Sequence, residues 1–233
     1  MPRERSASRG IAMPASWPMA KRLCGCFAIG LLLASEASFA ASPEEYKYRV
    51  EDGLYGSIGT YRYVIEKTQG GTTMTTEAHI EVSLFNVTLY SQDVSRIERQ
   101  VGDRLIYFHG ITTENGKPVE VDGRADGGRF VVNSPSGRVV APGTIRTANP
   151  WSAALPGADT VLMPDTGVVA KVRTSGGEET SVTMDGIPVR VRRYQVETLD
   201  GRERYQVWMS DRQTPVMFNM RDAESNVTFT LIK

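Results

Sequence analysis

The stretch Arg104-Leu-Ile-Tyr-Phe-His-Gly-Ile-Thr-Thr-Glu-Asn-Gly-Lys-Pro-Val-Glu-Val-Asp-Gly-Arg124 decides the fold class. Two runs rich in β-branched and aromatic residues flank Asn115-Gly116. That pair suits a type I′ hairpin turn, whose two central residues both need φ > 0. A two-residue loop there sets Glu114 opposite Lys117 and fixes every pairing behind it. Thr112 then faces Val119, Gly110 faces Val121, and Phe108 faces Gly123. On the other side Ile111 meets Glu120, His109 meets Asp122, and Tyr107 meets Arg124. The second face is partly polar and carries one of only two histidines in the chain.

The same strand–turn–strand grammar runs outward in both directions. Turn signals recur at Asp52-Gly53, Gly70-Gly71, Gly102-Asp103, Asp126-Gly127-Gly128, Pro135-Ser-Gly137, Gly176-Gly177, Asp185-Gly186 and Asp200-Gly201. Between them lie short runs of Val, Ile, Thr, Tyr and Phe. Tyr61, Tyr63 and Ile65 alternate with polar neighbours, as do Ile80, Val82 and Leu84. Tyr205, Val207 and Met209 do the same, followed by Val216, Phe218 and Met220 and by Val227, Phe229 and Leu231. One apolar and one mixed face per strand is the mark of an antiparallel sheet with one buried side. No window of helical length carries a 3.6-residue apolar stripe. The expected class is all-β, an antiparallel meander forming a barrel or half-barrel, with little helix beyond the N-terminal segment.

One interval breaks the rhythm. Residues 142–167 hold four prolines and no clean alternation, so they cannot supply a central strand. A connection this long is either a functional lid or plug, or a crossing loop that covers a sheet edge. Trp151, Leu155 and Leu162 are its expected anchors under both readings.

Residues 1–40 read as a signal peptide. Lys21-Arg22 precede the apolar run Leu23–Ala34, and Ser38-Phe-Ala40 supplies small residues for a cut after Ala40. Met19 would open a compact signal, leaving residues 1–18 as a long n-region or as a mis-assigned start. The run is shorter than the roughly 20 apolar residues of a membrane span. A lipoprotein cut at Cys26 would leave that run on the mature protein, which fits less well. Cleavage leaves 41–233 as a single β-rich domain, periplasmic or secreted. It would carry 22 basic and 25 acidic residues, a net of −3 from the 27 and 27 of the whole chain. No basic patch favours nucleic acid or an anionic membrane. Both cysteines, Cys24 and Cys26, leave with the signal, which removes disulfides, thiolate metal ligands and a thiol nucleophile.

Candidate chemistry is sparse. The register pairs His109 with Asp122, one part of a general-base arrangement, yet no serine is marked as a partner. A metal site built on His79 and His109 lacks ligand spacing. The glycine pairs do not open helices, so they are hairpin loops and not phosphate cradles. Asn86-Val-Thr and Asn226-Val-Thr match the glycosylation sequon within strand-like runs.

Several elements together resemble a family. They are Val50-Glu-Asp-Gly53 with Ile58-Gly-Thr60, Glu98 with Asp103-Arg-Leu105, Thr113-Glu-Asn-Gly-Lys117, and the Trp151 loop ending in Thr166-Gly167. The stretch Tyr48–Ile232 is similar to uncharacterised exported proteins of Gram-negative bacteria, grouped as a domain of unknown function. Where that family has a tryptophan after the glutamate, Glu98 is followed here by Arg99-Gln100. The segment from Val207-Trp208 to Pro215-Val216 is also similar to the last strands of exported open-barrel carriers of lipid or lipoprotein acyl chains. The resemblance implies a β-rich envelope protein and brings no catalytic residues with it.

The resulting expectation is a non-enzymatic, exported β-barrel-like protein, without cofactor or metal, that binds an apolar, lipid-like molecule. Tyr107, His109, Trp151 and Trp208 are the residues expected at the ligand. The alternative is a structural module that binds another envelope protein, and the third reading is a hydrolase using His109 and Asp122.

Overall fold

The computed structural model describes residues 42–149, 155–221 and 225–232, all within one compact unit, Phe39–Lys233. The expected signal segment 1–40 and Trp151 lie outside the described residues. The strands are β1 (Glu44–Asp52), β2 (Gly56–Thr68), β3 (Gly71–Leu84), β4 (Val87–Val101), β5 (Arg104–Glu114), β6 (Lys117–Asp126), β7 (Arg129–Ser134) and β8 (Gly137–Pro142). Then come β9 (Arg146–Thr147), a turn of 3-10 helix (Leu155–Gly157), β10 (Thr160–Leu162), β11 (Val169–Met184), β12 (Ile187–Thr198), β13 (Arg204–Met209), β14 (Pro215–Arg221) and β15 (Asn226–Ile232). None of the described helices is long and apolar enough to cross a membrane.

All fifteen strands join one sheet, in the order β8-β7-β6-β5-β4-β3-β2-β1-β15-β14-β13-β12-β11-β10-β9. Neighbours are antiparallel except β9 and β10, which are parallel. Chain connectivity alone forces this sheet to roll up. β8 and β9 are its two edges, about 67 Å apart if it were flat at ~4.8 Å per strand. Only Gly143, Thr144 and Ile145 link them, and that link spans at most about 15 Å. The sheet therefore curves into an open barrel, the all-β class that its alternating strands predict.

The central hairpin has the register read from Asn115-Gly116, from Glu114↔Lys117 to Tyr107↔Arg124, with φ of 48° and 78° at the two turn residues. Gly123 sits across from Phe108 for a reason of space. A Cβ on Gly123 would lie 2.4 Å from the Phe130 ring.

Two turn expectations need correcting. Gly176-Gly177 is no hairpin loop but a bulge inside β11, where the register shifts against β12. Both residues hold φ of 100°, which glycine alone adopts cheaply. Conversely, Asn86 is not in a strand. Phe85-Asn86 forms the β3–β4 turn with φ of 50° and 64°, a turn without glycine to announce it. Leu84, expected on the apolar face, is exposed because the hairpin projects past its neighbours.

A fifteen-strand roll is too wide for strand side chains alone to fill. The proline-rich interval fills it, and it also extends the sheet through β9 and β10. Within β10, successive residues enter two separate cores. Val161 packs among Tyr48, Tyr61, Tyr63, Tyr205, Phe218 and Phe229 from β1, β2 and β13–β15. Leu162 packs with Leu105, Phe108, Val121, Phe130 and Ile145 on the β5–β8 side. Leu155 and Leu162 are both fully buried, as expected of anchors. In the larger core the rings meet edge-on or tilted, Tyr61 to Phe229 at 5.7 Å and Phe218 to Phe229 at 5.6 Å, geometries that add to area burial.

Candidate functional site

β4 runs between the two cores, and its inward face is charged. Strand alternation places Val94, Arg96 and Glu98 inward together, all buried. Glu98 accepts hydrogen bonds from Thr147 Oγ1 at 2.7 Å and Asn149 Nδ2 at 3.0 Å. Burial pushes its carboxyl above the ordinary value, opposed by those two hydrogen bonds and by the nearby Arg96 charge. Arg96 donates to Asp165, which also accepts from Thr112 Oγ1 at 2.8 Å. These two clamps hold the crossing segment to the sheet at both of its ends. The sequence carries a signal for them, since Arg96 and Glu98 share the phase of Val94, but charges in an inward phase read as solvent-facing until a partner strand covers them.

Where the crossing segment enters the roll, it leaves an open cleft of ≈ 790 Å³. Successive strands run in opposite directions, so the start of β1, the end of β2, the start of β3 and the β4–β5 and β13–β14 turns all gather at this end. Inward alternation brings Tyr46, Tyr63, Ile65 and Met74 to one wall. Tyr63 donates its hydroxyl proton to Met74 Sδ at 2.8 Å. Its own ionisation is suppressed, first by burial and next by the Glu98 charge. At the rim Lys67 Nζ lies 2.8 Å from Glu44 Oε1. That hydrogen bond, and then one from Tyr46, holds the Glu44 carboxyl below the usual range.

Arg146 and Arg212 line the same cleft with Asp103 and Asp159. Arg146 Nη1 is buried and has no hydrogen-bond partner among the described residues. A desolvated guanidinium N–H without an acceptor is costly, and its natural complement is a carboxylate or phosphate oxygen. The described lining contains no histidine and no cysteine. The cleft offers an apolar wall, charged and polar groups beside it, and an open mouth.

The residues expected at a ligand lie elsewhere. Tyr107 and His109 point outward from β5, on the convex face. Tyr107 is stacked between the Arg99 and Arg124 guanidinium groups at 5.3 and 5.2 Å. His109 Nδ1 sits 3.0 Å from Asp122 Oδ1, the pairing the hairpin register requires. Trp208 is seven strands away on β13, in a shallow convex-face groove of ≈ 370 Å³ with Gln206, Met217 and Asn219. Tyr107 and His109 are thus brought together, Trp208 is not, and Trp151 falls outside the described residues. None of the three described residues lines the cleft.

Residues 52–232 match the family described as Domain of unknown function (DUF6134). The chain belongs to that family. The DUF6134 fold is similar to a crystal structure of a β-barrel-like protein of domain of unknown function DUF1849 from Brucella abortus. The match has a TM-score of 0.62 at 16% identity and covers 82% of this chain and 96% of that one. At that identity the likeness concerns the fold alone. No curated protein matches the chain.

Proposed function

We propose that this DUF6134 protein is an exported, non-enzymatic binding protein that takes a lipid-like molecule with an anionic head group. The ligand's head would meet Arg146, and its apolar part would lie along Tyr46, Ile65 and Met74. The observation that carries this reading is Arg146 in the wall of a ≈ 790 Å³ open cleft, its buried Nη1 without a hydrogen-bond partner among the described residues. Ligand sites of this size favour the mouths of barrels, and this cleft sets the apolar wall of Tyr46, Ile65 and Met74 beside charged and polar groups. The filled interior argues against a fully enclosed acyl chain, so the ligand would occupy the mouth and not the axis. Export rests on the basic, apolar and small-residue pattern of residues 1–40. The test is organic extraction of the purified protein followed by mass spectrometry, with a thermal-shift series of fatty-acid probes. A co-purifying anionic lipid, or a rise in Tm with such probes, is expected. Lipid-free protein indifferent to every probe would contradict the reading.

A second reading, an interaction module for another envelope protein, has its own support. The β3–β4 hairpin overhangs the sheet, because Glu81–Leu84 extend beyond the β2 ladder and Val87–Tyr90 beyond that of β5. Its tip exposes Leu84, Phe85, Val87 and Leu89, with Phe85 at 91%. Phe85 is neither buried nor in a conformation phenylalanine prefers, and strain kept at an exposed apolar position points to use. A photo-crosslinker at Val87 in intact cells, giving one stoichiometric adduct, would favour this reading.

A further inference from the structure

The convex face of the β5–β6 hairpin gathers a donor set that neither core nor cleft uses. His109 on β5 and Glu120 and Asp122 on β6 each present a donor atom, all within 4.8 Å of one another. His109 Nδ1 stands 3.0 Å from Asp122 Oδ1 and 3.9 Å from Glu120 Oε1. The donors of a tetrahedral ion bound at ~2.0–2.1 Å lie about 3.3 Å apart, so this spread closes with small side-chain rotations. The hairpin fixes the arrangement, since Glu120 and Asp122 sit two apart on one strand face and His109 directly opposes Asp122.

Several carboxylates elsewhere on the convex face meet cations. Glu45 and Glu77 share Arg62, Glu179 meets Arg192, and Glu197 meets Arg173 and Arg204. Glu120 and Asp122 have only His109 within ion-pair distance among the described residues. The arginines nearest in register, Arg99 and Arg124, are stacked on Tyr107 instead. His79 supplies an internal comparison. It too pairs with an aspartate, Asp93, at 2.7 Å, yet among the described residues it belongs to no such group of three.

We infer that His109, Glu120 and Asp122 form a surface site for a divalent first-row transition-metal ion, with water completing the shell. One imidazole nitrogen beside two carboxylates selects zinc-like ions over calcium or magnesium, which prefer all-oxygen shells. The site is independent of the cleft and of the ligand proposed there.

The test is calorimetric titration of zinc chloride into the EDTA-stripped full chain, in a Cys24→Ser/Cys26→Ser background so that the two thiols do not compete. One equivalent should bind. Asp122→Asn and Glu120→Gln should each weaken it at least about tenfold, whereas His79→Ala should leave it unchanged. Zinc should also raise the Tm of the parent but not of Asp122→Asn, while the two share the same Tm without metal. No binding, equal binding in Asp122→Asn, or loss of binding in His79→Ala would overturn the inference.

Discussion

Glu98 concentrates the energetic tension of the molecule in one side chain. It is fully buried, has two hydrogen-bond donors from the crossing segment, and burial raises its folded-state proton affinity above that of the unfolded chain. The stability linked to that proton is complete below the ordinary value of 4.5 and is lost as pH rises through the raised folded value. Glu98→Gln keeps the shape without the charge, and the Thr147 hydroxyl can turn to accept from the amide. Its Tm should match or exceed the parent's at neutral pH and lose ground to it as pH falls, as followed by circular dichroism. A difference independent of pH would contradict this account. Glu98→Ala removes the carboxylate that accepts from Thr147 and Asn149 and should cost about 2–4 kcal/mol in denaturant unfolding. Gly123 tests packing in the other direction. Its α-carbon lies under the Phe130 ring, so Gly123→Ala should cost about 1–3 kcal/mol through overpacking, and an unchanged midpoint would show the ring to be freely displaced.

The β5–β6 hairpin was legible to the last pair, because Asn115-Gly116 encodes both the turn and the register. The β3–β4 hairpin was not, because Phe85-Asn86 turns without glycine and its flanks alternate past the end of the sheet. At Phe85, asparagine should relieve roughly 1 kcal/mol of left-handed strain. Phe85→Asn should therefore hold or raise the Tm, and under the interaction reading it should abolish crosslinking from the tip. A clear fall in Tm would mean that the ring makes a stabilising contact. The crossing segment was legible in its anchors Leu155 and Leu162, yet its polar clamps were not, because Arg96, Glu98 and Asp165 acquire their meaning only through contacts far apart in sequence. The trio of His109, Glu120 and Asp122 lay open in the hairpin register. A histidine spacing rule overlooks it because two of the three donors are carboxylates on the facing strand.

At the scale of the whole molecule, a short link between the two sheet edges rolls fifteen strands around a plug. Strand direction sets the turns at Leu54, Tyr55, Phe85 and Leu199 at one end and the cleft with Arg146 at the other. Alternation along each strand tells inside from outside, but not which end of a rolled sheet stays open. For that reason the mixed faces carrying Tyr107, His109 and Trp208 fit either lumen or solvent in sequence, and they stand on the convex face in the structure. The binding proposed for the cleft, of an anionic, lipid-like molecule through Arg146, is tested by titration of tetradecanoate into the parent and Arg146→Gln proteins. The account predicts saturable binding by the parent and at least tenfold weaker binding by the variant, whose Tm without ligand is equal or higher because an unsatisfied buried donor has gone. Equal affinity in both proteins, or no binding by either, would contradict it.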